Sequence, residues 1–347
     1  MGFNWGVIGT GTIAYDVSYA IESVPGNKIS AVTSGKVDNA RQFASTFREA
    51  SLFESAGDLI EKGNIDVVYI ASPNHMHLQM ALLCAQNKKA FLCEKPLSVN
   101  KEDALLLKET IEKEGVFGME AMWILFTPYI QELLKIYRSG KLGEIKHIRA
   151  SFGHVINKTV KQMHGEGVLA DLGVYLISLV VQILGKPDDV SGYIKDTYAD
   201  ALLHYNSGAS ASISCSYTTE LENEICLHGE KGTARLHAPF YRSGFITTHF
   251  FDPRKESAST TKMINTNPYA LPGPAKYVSF LKRYIKKSIP VKSYAVPFKG
   301  NAYHYQIEEV NRCLKEGLIQ SDVWPLSQSA SVAEVIDTLM HHHYSAL

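Results

Sequence analysis

The first fifteen residues contain a glycine pattern that suits the binding of phosphate groups. The pattern follows an apolar strand candidate, opens a helix candidate, and reads Gly9-Thr10-Gly11-Thr12-Ile13-Ala14. Gly9 permits a tight turn, Gly11 lets the backbone approach a pyrophosphate, and Ala14 allows close packing of helix on strand. The helix N-terminus adds free N–H groups and a partial positive charge. We predict a dinucleotide-binding turn here, with a purely structural turn as the alternative.

The end of the second strand candidate bears on which dinucleotide is bound. An acidic residue about 20 positions after the glycine pattern would hydrogen-bond the ribose 2′-OH and favour NAD. This chain instead has Ser34, Gly35 and Lys36, and its first acidic residue there is Asp38. A hydroxyl and a lysine suit a 2′-phosphate, so we predict NADP in preference to NAD, with Ser34 and Lys36 as ligands. An ordinary exposed loop lysine is the alternative for Lys36.

Three later segments resemble a known protein family. They are Ile70-Ala71-Ser72-Pro73-Asn74-His75-Met76-His77, Phe91-Leu92-Cys93-Glu94-Lys95-Pro96-Leu97-Ser98 and Gly167-Val168-Leu169-Ala170-Asp171-Leu172-Gly173-Val174-Tyr175. With the glycine pattern in front, they resemble the glucose–fructose oxidoreductase and inositol dehydrogenase family, whose most specific mark is Glu94-Lys95-Pro96 after a strand. Tyr175, where most of that family has His, resembles the dimeric dihydrodiol dehydrogenase branch, and so does Glu120-Ala121-Met122-Trp123.

The resemblance implies an NAD(P)-dependent oxidoreductase that moves a hydride between nicotinamide C4 and a secondary alcohol or carbonyl of a sugar, polyol or cyclic diol. A base must then take the hydroxyl proton, and a lysine ammonium beside a tyrosine lowers its pKa toward the working range. We predict Tyr175 as the acid/base, assisted by Lys95. Asp171, one helical turn before Tyr175, would orient Lys95 or a substrate hydroxyl. A non-catalytic dinucleotide sensor of the same fold is the alternative.

The other predicted site residues lie in the same segments. Besides the glycine turn, the predicted cofactor contacts are Ser72, Pro73, Asn74, His77, Glu94 and Lys95. Trp123 and Phe126 are predicted to wall the substrate pocket, with core packing as an equal alternative. No metal is expected, because the histidines form no set with the spacing of metal ligands.

The elements that must position these residues fall into two groups. Strand and helix candidates alternate over residues 1–120, which predicts an α/β Rossmann domain with a parallel sheet. Residues 121–347 predict an α+β substrate-binding domain, whose alternating segments from about Ser191 to Phe251 indicate a large, mainly antiparallel, open-faced sheet. A helix at about 326–341 is a candidate to pack back on the first domain. Because a large sheet face must be covered, we predict a homodimer or higher homo-oligomer through this sheet.

Composition excludes several classes of function. The 347 residues carry 35 Lys+Arg and 35 Asp+Glu, so no basic surplus favours nucleic acid. Five dispersed cysteines without a CxxC pair fit reduced thiols in the cytoplasm. Neither a signal peptide nor a membrane span is expected, since no apolar run approaches the roughly 18 residues of a span.

Three departures from the family pattern leave the substrate open. Gly35 stands where the family often has Arg, which weakens the preference for NADP, since lysine lacks the bidentate fork of arginine. The branch commonly has Thr-Arg-Phe after Trp123, but this chain has Ile124-Leu125-Phe126. The segment 272–292 matches poorly, and Tyr277 to Lys287 within it predicts a basic amphipathic helix.

Overall fold

The computed structural model describes residues 2–47, 50–156, 167–251 and 291–344, with side chains described as far as residue 341. In the first part of the chain, six strands alternate with five helices. The strands are β1 Asn4–Ile8, β2 Lys28–Thr33, β3 Ser51–Leu52, β4 Val67–Ile70, β5 Ala90–Cys93 and β6 Gly118–Glu120. The helices are α1 Thr12–Ser23, α2 Val37–Thr46, α3 Ala56–Lys62, α4 His77–Gln86 and α5 Lys101–Glu114.

These strands form one parallel sheet in the order β3-β2-β1-β4-β5-β6. All four residues of β4 and of β5 are buried, as expected where helices cover both faces of a parallel sheet. The strand order reverses beside β1, so the loops after β1 and β4 diverge and leave a crevice at the carboxyl edge. That edge positions the glycine turn and Lys95.

The second part of the chain builds an eight-stranded sheet. Its strands are β7 Ile145–Gly153, β8 Asp189–Lys195, β9 Tyr198–His204, β10 Ser210–Ser216, β11 Ile225–Gly229, β12 Gly232–Leu236, β13 Phe245–Phe250 and β14 Val291–Ala295. Their order is β14-β13-β12-β11-β7-β10-β9-β8, and only the β7–β10 pair is parallel. Two helices, α6 Pro128–Arg138 and α7 Val174–Leu184, pack on one face, and nine of the eleven residues of α7 are buried.

Two further helices, α8 His304–Lys315 and α9 Leu326–Tyr344, connect the two sheets. Helix α9 packs on α5 through small residues, Ala104 against Ala330 and Ala333. Just before and within α9, the Trp324 indole and the Ser329 hydroxyl donate to Glu120 Oε2 at the end of β6, at 3.0 and 2.7 Å. The predicted fold class, a Rossmann domain followed by a domain with a large and mostly antiparallel sheet, is confirmed.

The structure corrects several local predictions. The strand β3 and the helix α3 were not anticipated, whereas the single parallel pair among the described strands of the large sheet, β7–β10, agrees with the predicted mainly antiparallel arrangement. A π-helical turn, Leu169–Gly173, precedes α7, so the regular helix begins at Val174. Asp171, expected one α-helical turn before Tyr175, therefore lies in the π-helical turn. The predicted basic helix at 277–287 lies outside the described residues. No helix within the described ranges has the length and apolar character to cross a membrane.

Candidate active site

The Lys95 ammonium is the centre of a compact cluster between the two sheets. Lys95 follows β5 directly, and its side chain is only 12% exposed. Its Nζ donates to Asp171 Oδ1 at 2.5 Å and to the Asp171 carbonyl oxygen at 2.8 Å. The same ammonium lies 4.8 Å from the centre of the Tyr175 ring. The structure therefore brings together the three residues predicted to carry the chemistry.

Two side chains from other elements hold this cluster in place. The Trp123 indole N–H donates to the Tyr175 hydroxyl at 3.1 Å. The Tyr217 hydroxyl, just after β10, donates to Asp171 Oδ2 at 2.8 Å. The π-helical turn adds a residue to the ladder immediately before α7, and such bulges often lie at functional sites. Its geometry lets both the carboxylate and the carbonyl oxygen of Asp171 face Lys95.

The predicted lowering of the Tyr175 pKa is wrong. Burial raises the pKa of the Tyr175 phenol, and the opposing effect of the Lys95 ammonium is too small to reverse this. Burial alone would lower the pKa of Lys95, but the charge of Asp171 outweighs it and the pKa lies above the ordinary value. The pair therefore consists of a protonated phenol and a lysine cation.

The β1–α1 turn fits a dinucleotide pyrophosphate. Gly9 has φ +105°, and a Cβ there would lie 2.2 Å from the Ala71 carbonyl oxygen, so only glycine fits. At Gly11 no atom lies within 4 Å of an added Cβ, which leaves open space in front of α1. No side chain caps α1 at Gly11, and its first turn has no acidic residue, so its N–H groups face that space.

Residues after β4 and β2 border the same space. The Ser72 hydroxyl is buried and has no hydrogen-bond partner among the described residues, which suits a ligand contact. Thr10 Oγ1 donates to Ser34 Oγ at 2.9 Å and so ties the turns after β1 and β2 together. Lys36 is exposed at the start of α2, whereas the neighbouring Arg41 pairs with Asp38 at 3.2 Å. The predicted ligands of a 2′-phosphate thus lie at the outer end of the turn.

His77 and Glu94 support the loops that would carry a cofactor. The two ring nitrogens of His77 lie 2.8 Å from the Pro96 carbonyl oxygen and 2.9 Å from that of Ser72, so this buried ring joins both loops. Glu94 is buried, and its Oε1 accepts a hydrogen bond from the Tyr69 hydroxyl at 2.6 Å. Pro73 is exposed and Asn74 begins a 3-10 turn next to them.

The two predicted pocket residues differ in their placement. Trp123 contacts Tyr175 directly, whereas Phe126 is buried in the hydrophobic core, and within the described residues no ring contact or hydrogen bond joins it to Lys95 or Tyr175. The sequence did not indicate Tyr217, which holds Asp171, or Tyr303, whose ring contacts the Trp123 ring edge-on with centroids 4.9 Å apart. Tyr217 ends an alternating strand segment, but only the fold brings it to Asp171.

Comparison with known proteins gives consistent matches along the chain. The model of an oxidoreductase family with an NAD-binding Rossmann fold, GFO/IDH/MocA, matches residues 3–121, and the GFO/IDH/MocA C-terminal domain matches residues 130–235. Trans-1,2-dihydrobenzene-1,2-diol dehydrogenase from Mus musculus is 30% identical over 353 residues, covering 97% of this chain and 96% of the relative. The protein of the same name from Danio rerio is 27% identical, with coverage of 97% and 96%.

Solved structures share the fold at lower identity. A levoglucosan dehydrogenase in complex with NADH and levoglucosan has a TM-score of 0.82 at 17% identity, covering 100% of this chain and 98% of that chain. A 3-ketoreductase from Actinomadura kijaniata with NADP and TDP-benzene has a TM-score of 0.77 at 20% identity, covering 98% of each chain. At these identities the similarity shows the fold.

These matches confirm the predicted family and, with it, the predicted class of NAD(P)-dependent oxidoreductase. They do not test the roles of individual site residues, the oligomeric state or the cellular compartment, which stay predictions. Two family domains cover most of the described chain, and the mouse relative aligns over nearly its whole length. The chain belongs to the GFO/IDH/MocA family of oxidoreductases, on its dihydrodiol dehydrogenase-like branch.

Proposed function

We propose that this protein interconverts a secondary alcohol and its carbonyl on a sugar, polyol or cyclic diol, with Tyr175 as the acid/base. The observation that carries the proposal is the contact among Lys95, Asp171 and Tyr175 at the carboxyl edge of the parallel sheet. A bound nicotinamide supplies or accepts the hydride at C4. Tyr175 exchanges the proton of the reacting oxygen, Lys95 stabilises negative charge that develops there, and Asp171 positions Lys95.

The protonation states of Tyr175 and Lys95 favour carbonyl reduction. The raised pKa of Tyr175 keeps its phenol protonated at neutral pH, ready to donate to a developing alkoxide in carbonyl reduction. The Trp123 N–H bonds to the phenol oxygen as a donor, so the phenol proton is left to point elsewhere. A non-catalytic sensor would have no chemical need for these contacts.

Substitution of the two central residues tests the proposal. We expect Tyr175→Phe and Lys95→Met to lower kcat by about two to four orders of magnitude, while the Kd for NADPH changes little. Tyr137→Phe is a matched control, because its hydroxyl bonds to the Ile183 carbonyl oxygen away from the cluster. Turnover is measured with aldoses, polyols and cyclic diols, and Kd by nucleotide fluorescence. Near-normal turnover in either variant would remove that residue from the mechanism.

The preference for NADP rests on Lys36 and Ser34 at the end of β2. Lys36 is exposed, and its ammonium makes no hydrogen bond or ion pair within the described chain, so it is available to a 2′-phosphate; its backbone N–H bonds to Ser34 Oγ. We expect Lys36→Ala to weaken NADPH binding by about ten-fold and to leave NADH binding unchanged. Arg41→Ala is the control, because Asp38 already pairs with that guanidinium. Equal loss for both nucleotides would contradict a 2′-phosphate contact.

The outer face of the eight-stranded sheet is the proposed surface of a homodimer. Tyr193, Leu202 and Phe245 are 55%, 46% and 44% exposed on strands of that sheet, and exposed apolar side chains favour association. Leu202→Asp should lower the mass found by light scattering at micromolar concentration. Leu106→Asp, on the surface of α5, is the control. A monomeric wild-type protein would refute the dimer.

Two further predictions complete the proposal. The chain would divide into a cofactor domain, residues 1–120, and a substrate domain, residues 121–347. A cytoplasmic location is supported by the five cysteines, which are all buried and not in disulfides. Fractionation of the cells that express the protein would test the location.

A further inference from the structure

A buried tyrosine–glutamate pair lies next to the proposed catalytic lysine and has no chemical role in the mechanism above. Tyr69 is fully buried on β4, and Glu94, which follows β5, is only 8% exposed. The Tyr69 hydroxyl donates to Glu94 Oε1 at 2.6 Å, a length typical of a hydrogen bond to an ionised oxygen. Glu94 directly precedes Lys95 in the chain. The pair therefore places a second carboxyl group, besides Asp171, near the Lys95 ammonium.

The neighbours of Glu94 favour its ionised form. Burial raises the pKa of Glu94, and the Tyr69 hydrogen bond and the Lys95 charge both oppose this rise. Burial and the charge of Glu94 raise the pKa of Tyr69, so its hydroxyl stays protonated and remains the donor. The other titratable groups that act on Glu94 or respond to its charge are Glu120, Cys93, Tyr175 and Tyr303.

The charge of Glu94 extends over the site proposed for the reaction. The Lys95 ammonium lies 2.5 Å from Asp171 Oδ1, so these two opposite charges largely cancel at a distance. Among these three residues, the negative charge of Glu94 is left over. The phenols of Tyr175 and Tyr303 respond to it, since their pKa values are raised by burial and further by Glu94.

The two redox states of the cofactor differ by one charge at the nicotinamide ring. The oxidised ring is a cation and the reduced ring is neutral, while the phosphates, the riboses and the adenine are the same in both. A carboxylate in a low-dielectric site attracts the cation and not the neutral ring, and this attraction does not require direct contact. Because C4 must approach the carbon whose oxygen lies at Tyr175, the ring comes within range of the Glu94 charge.

We propose that Glu94, with Tyr69 as its positioning residue, makes the site favour the oxidised over the reduced cofactor. The inference rests on the proposed function in one respect, that the nicotinamide ring lies beside Lys95 and Tyr175. Relative stabilisation of the oxidised cofactor shifts the equilibrium on the enzyme toward carbonyl reduction. The protonated Tyr175 phenol favours the same direction.

The ratio of the Kd for NADP⁺ to the Kd for NADPH measures this preference without turnover. A lost contact elsewhere on the nucleotide, or a shifted loop, affects both forms alike and cancels in the ratio. We expect Glu94→Gln to raise the ratio by about ten-fold. Lys95→Met removes a cation from the same cluster and should lower the ratio. Opposite shifts support the inference, whereas an unchanged ratio in Glu94→Gln, or shifts in the same direction, overturns it.

The Tyr69→Phe variant tests the positioning role, and it keeps the inference testable where Glu94→Gln does not fold. Loss of the hydrogen bond raises the pKa of Glu94 further, so part of the carboxyl group becomes neutral. We expect the ratio to rise about three-fold at about pH 7 and to return toward the wild-type value at about pH 9, as the group ionises. A wild-type ratio at both pH values overturns the role of Tyr69.

A second tyrosine–carboxylate pair supplies matched controls. The Tyr198 hydroxyl donates to Asp200 Oδ2, also at 2.6 Å, on β9 of the eight-stranded sheet. Tyr198→Phe and Asp200→Asn should leave the nucleotide ratio unchanged, and a shift there equal to that of the test variants overturns the inference.

The same variants separate this inference from the proposed function. Normal turnover in Tyr175→Phe together with a raised ratio in Glu94→Gln would refute the proposed acid/base and support the inference. Lost turnover in Tyr175→Phe with an unchanged ratio in Glu94→Gln would support the acid/base and overturn the inference.

Discussion

Tyr175 and Lys95 are both protonated at neutral pH. We therefore expect the rates of carbonyl reduction and of alcohol oxidation to depend differently on pH. The pKa of Tyr175 lies above its ordinary value because the phenol is buried, with Lys95 opposing the effect only in part. In the proposed mechanism carbonyl reduction needs the protonated phenol of Tyr175, so we expect its kcat/KM to stay level through neutral pH. Alcohol oxidation needs the phenolate, so its kcat/KM should rise about ten-fold per pH unit as far as about pH 10.

Both rates can be measured between about pH 6 and about pH 10 with one alcohol–carbonyl pair. Lys95→Met should move the rise in oxidation to higher pH, because it removes the cation that lowers the pKa of the phenol. An oxidation rate that levels off near neutral pH would contradict this assignment and point to a different base. Buffer of constant ionic strength controls for screening of the Lys95 charge.

The sequence predicts the identity of these groups better than their energetics. Lys95, Asp171 and Tyr175 are recognisable from motif and spacing, and the structure brings them into contact. The direction of the shift in the Tyr175 pKa was predicted wrongly. The shift depends on how completely the two sheets bury the ring, which the sequence does not show. Tyr217 and Tyr303 could not be anticipated, since each reaches the site from a distant part of the chain.

The two glycines of the β1–α1 turn are expected to be required for different reasons, Gly9 for stability and Gly11 for nucleotide binding. Gly9→Ala would place a Cβ 2.2 Å from the Ala71 carbonyl oxygen at φ +105°, so it should lower the free energy of unfolding by at least about 2 kcal/mol. Gly11→Ala enters open space at an ordinary φ and should change stability by less than about 0.5 kcal/mol. The same methyl group would occupy the proposed pyrophosphate site.

Urea unfolding and NADPH titration of both variants distinguish the two roles. We expect Gly11→Ala to keep the wild-type unfolding midpoint and to lose at least about ten-fold in nucleotide affinity. Gly57→Ala, in helix α3 with only a distant contact, is a control for the glycine-to-alanine change itself. Wild-type NADPH affinity in Gly11→Ala would show that the nucleotide binds elsewhere.

Regular elements were predictable where their hydrophobic pattern is distinct: β4 is a continuous apolar run, and α5 and α7 extend over 14 and 11 residues. The strand β3 has two exposed residues and α3 only seven residues, so neither has enough sequence to show a period. The sequence shows no local pattern for the π-helical turn at Leu169–Gly173. We attribute the turn to the tertiary contacts of Asp171. The parallel β7–β10 pair likewise depends on a long connection, which runs through α7, β8 and β9 before the chain returns to β7.

Helix α9 joins the cofactor domain to the large sheet and thereby fixes the site between them. The buried Glu120 carboxylate accepts from the Leu97 backbone N–H, two residues after Lys95, and from Trp324 and Ser329 near the start of α9. These three groups all donate to the carboxylate. Because Leu97 lies in the loop that carries Lys95, the carboxylate connects this loop to helix α9. The proposed catalytic cluster around Lys95 and the contacts of α9 are therefore linked through the Glu120 carboxylate.

The Glu334 carboxylate on α9 is the charged part of this connection. It pairs with Lys101 of α5 at 3.0 Å and with Lys186, which follows α7, at 2.7 Å. Burial raises the pKa of Glu334, but the two lysines outweigh it and the pKa lies below the ordinary 4.5. A carboxylate with a depressed folded pKa stabilises the protein above its unfolded pKa, and this stabilisation is lost as the pH falls through the folded pKa.

We expect Glu334→Gln to lower the free energy of unfolding by about 0.5–1 kcal/mol at neutral pH, because both partners are well exposed to solvent. The difference from wild type should shrink as the pH falls below about 4, and also in molar salt. Glu112→Gln, whose partner Lys108 lies one turn away on the same helix, is the control for a pair within one element.

Urea unfolding followed separately by tryptophan fluorescence and by loss of activity gives the second readout. A weakened connection should make activity fall at lower urea than fluorescence in Glu334→Gln, whereas coincident curves there would mean that the two domains unfold together without this pair.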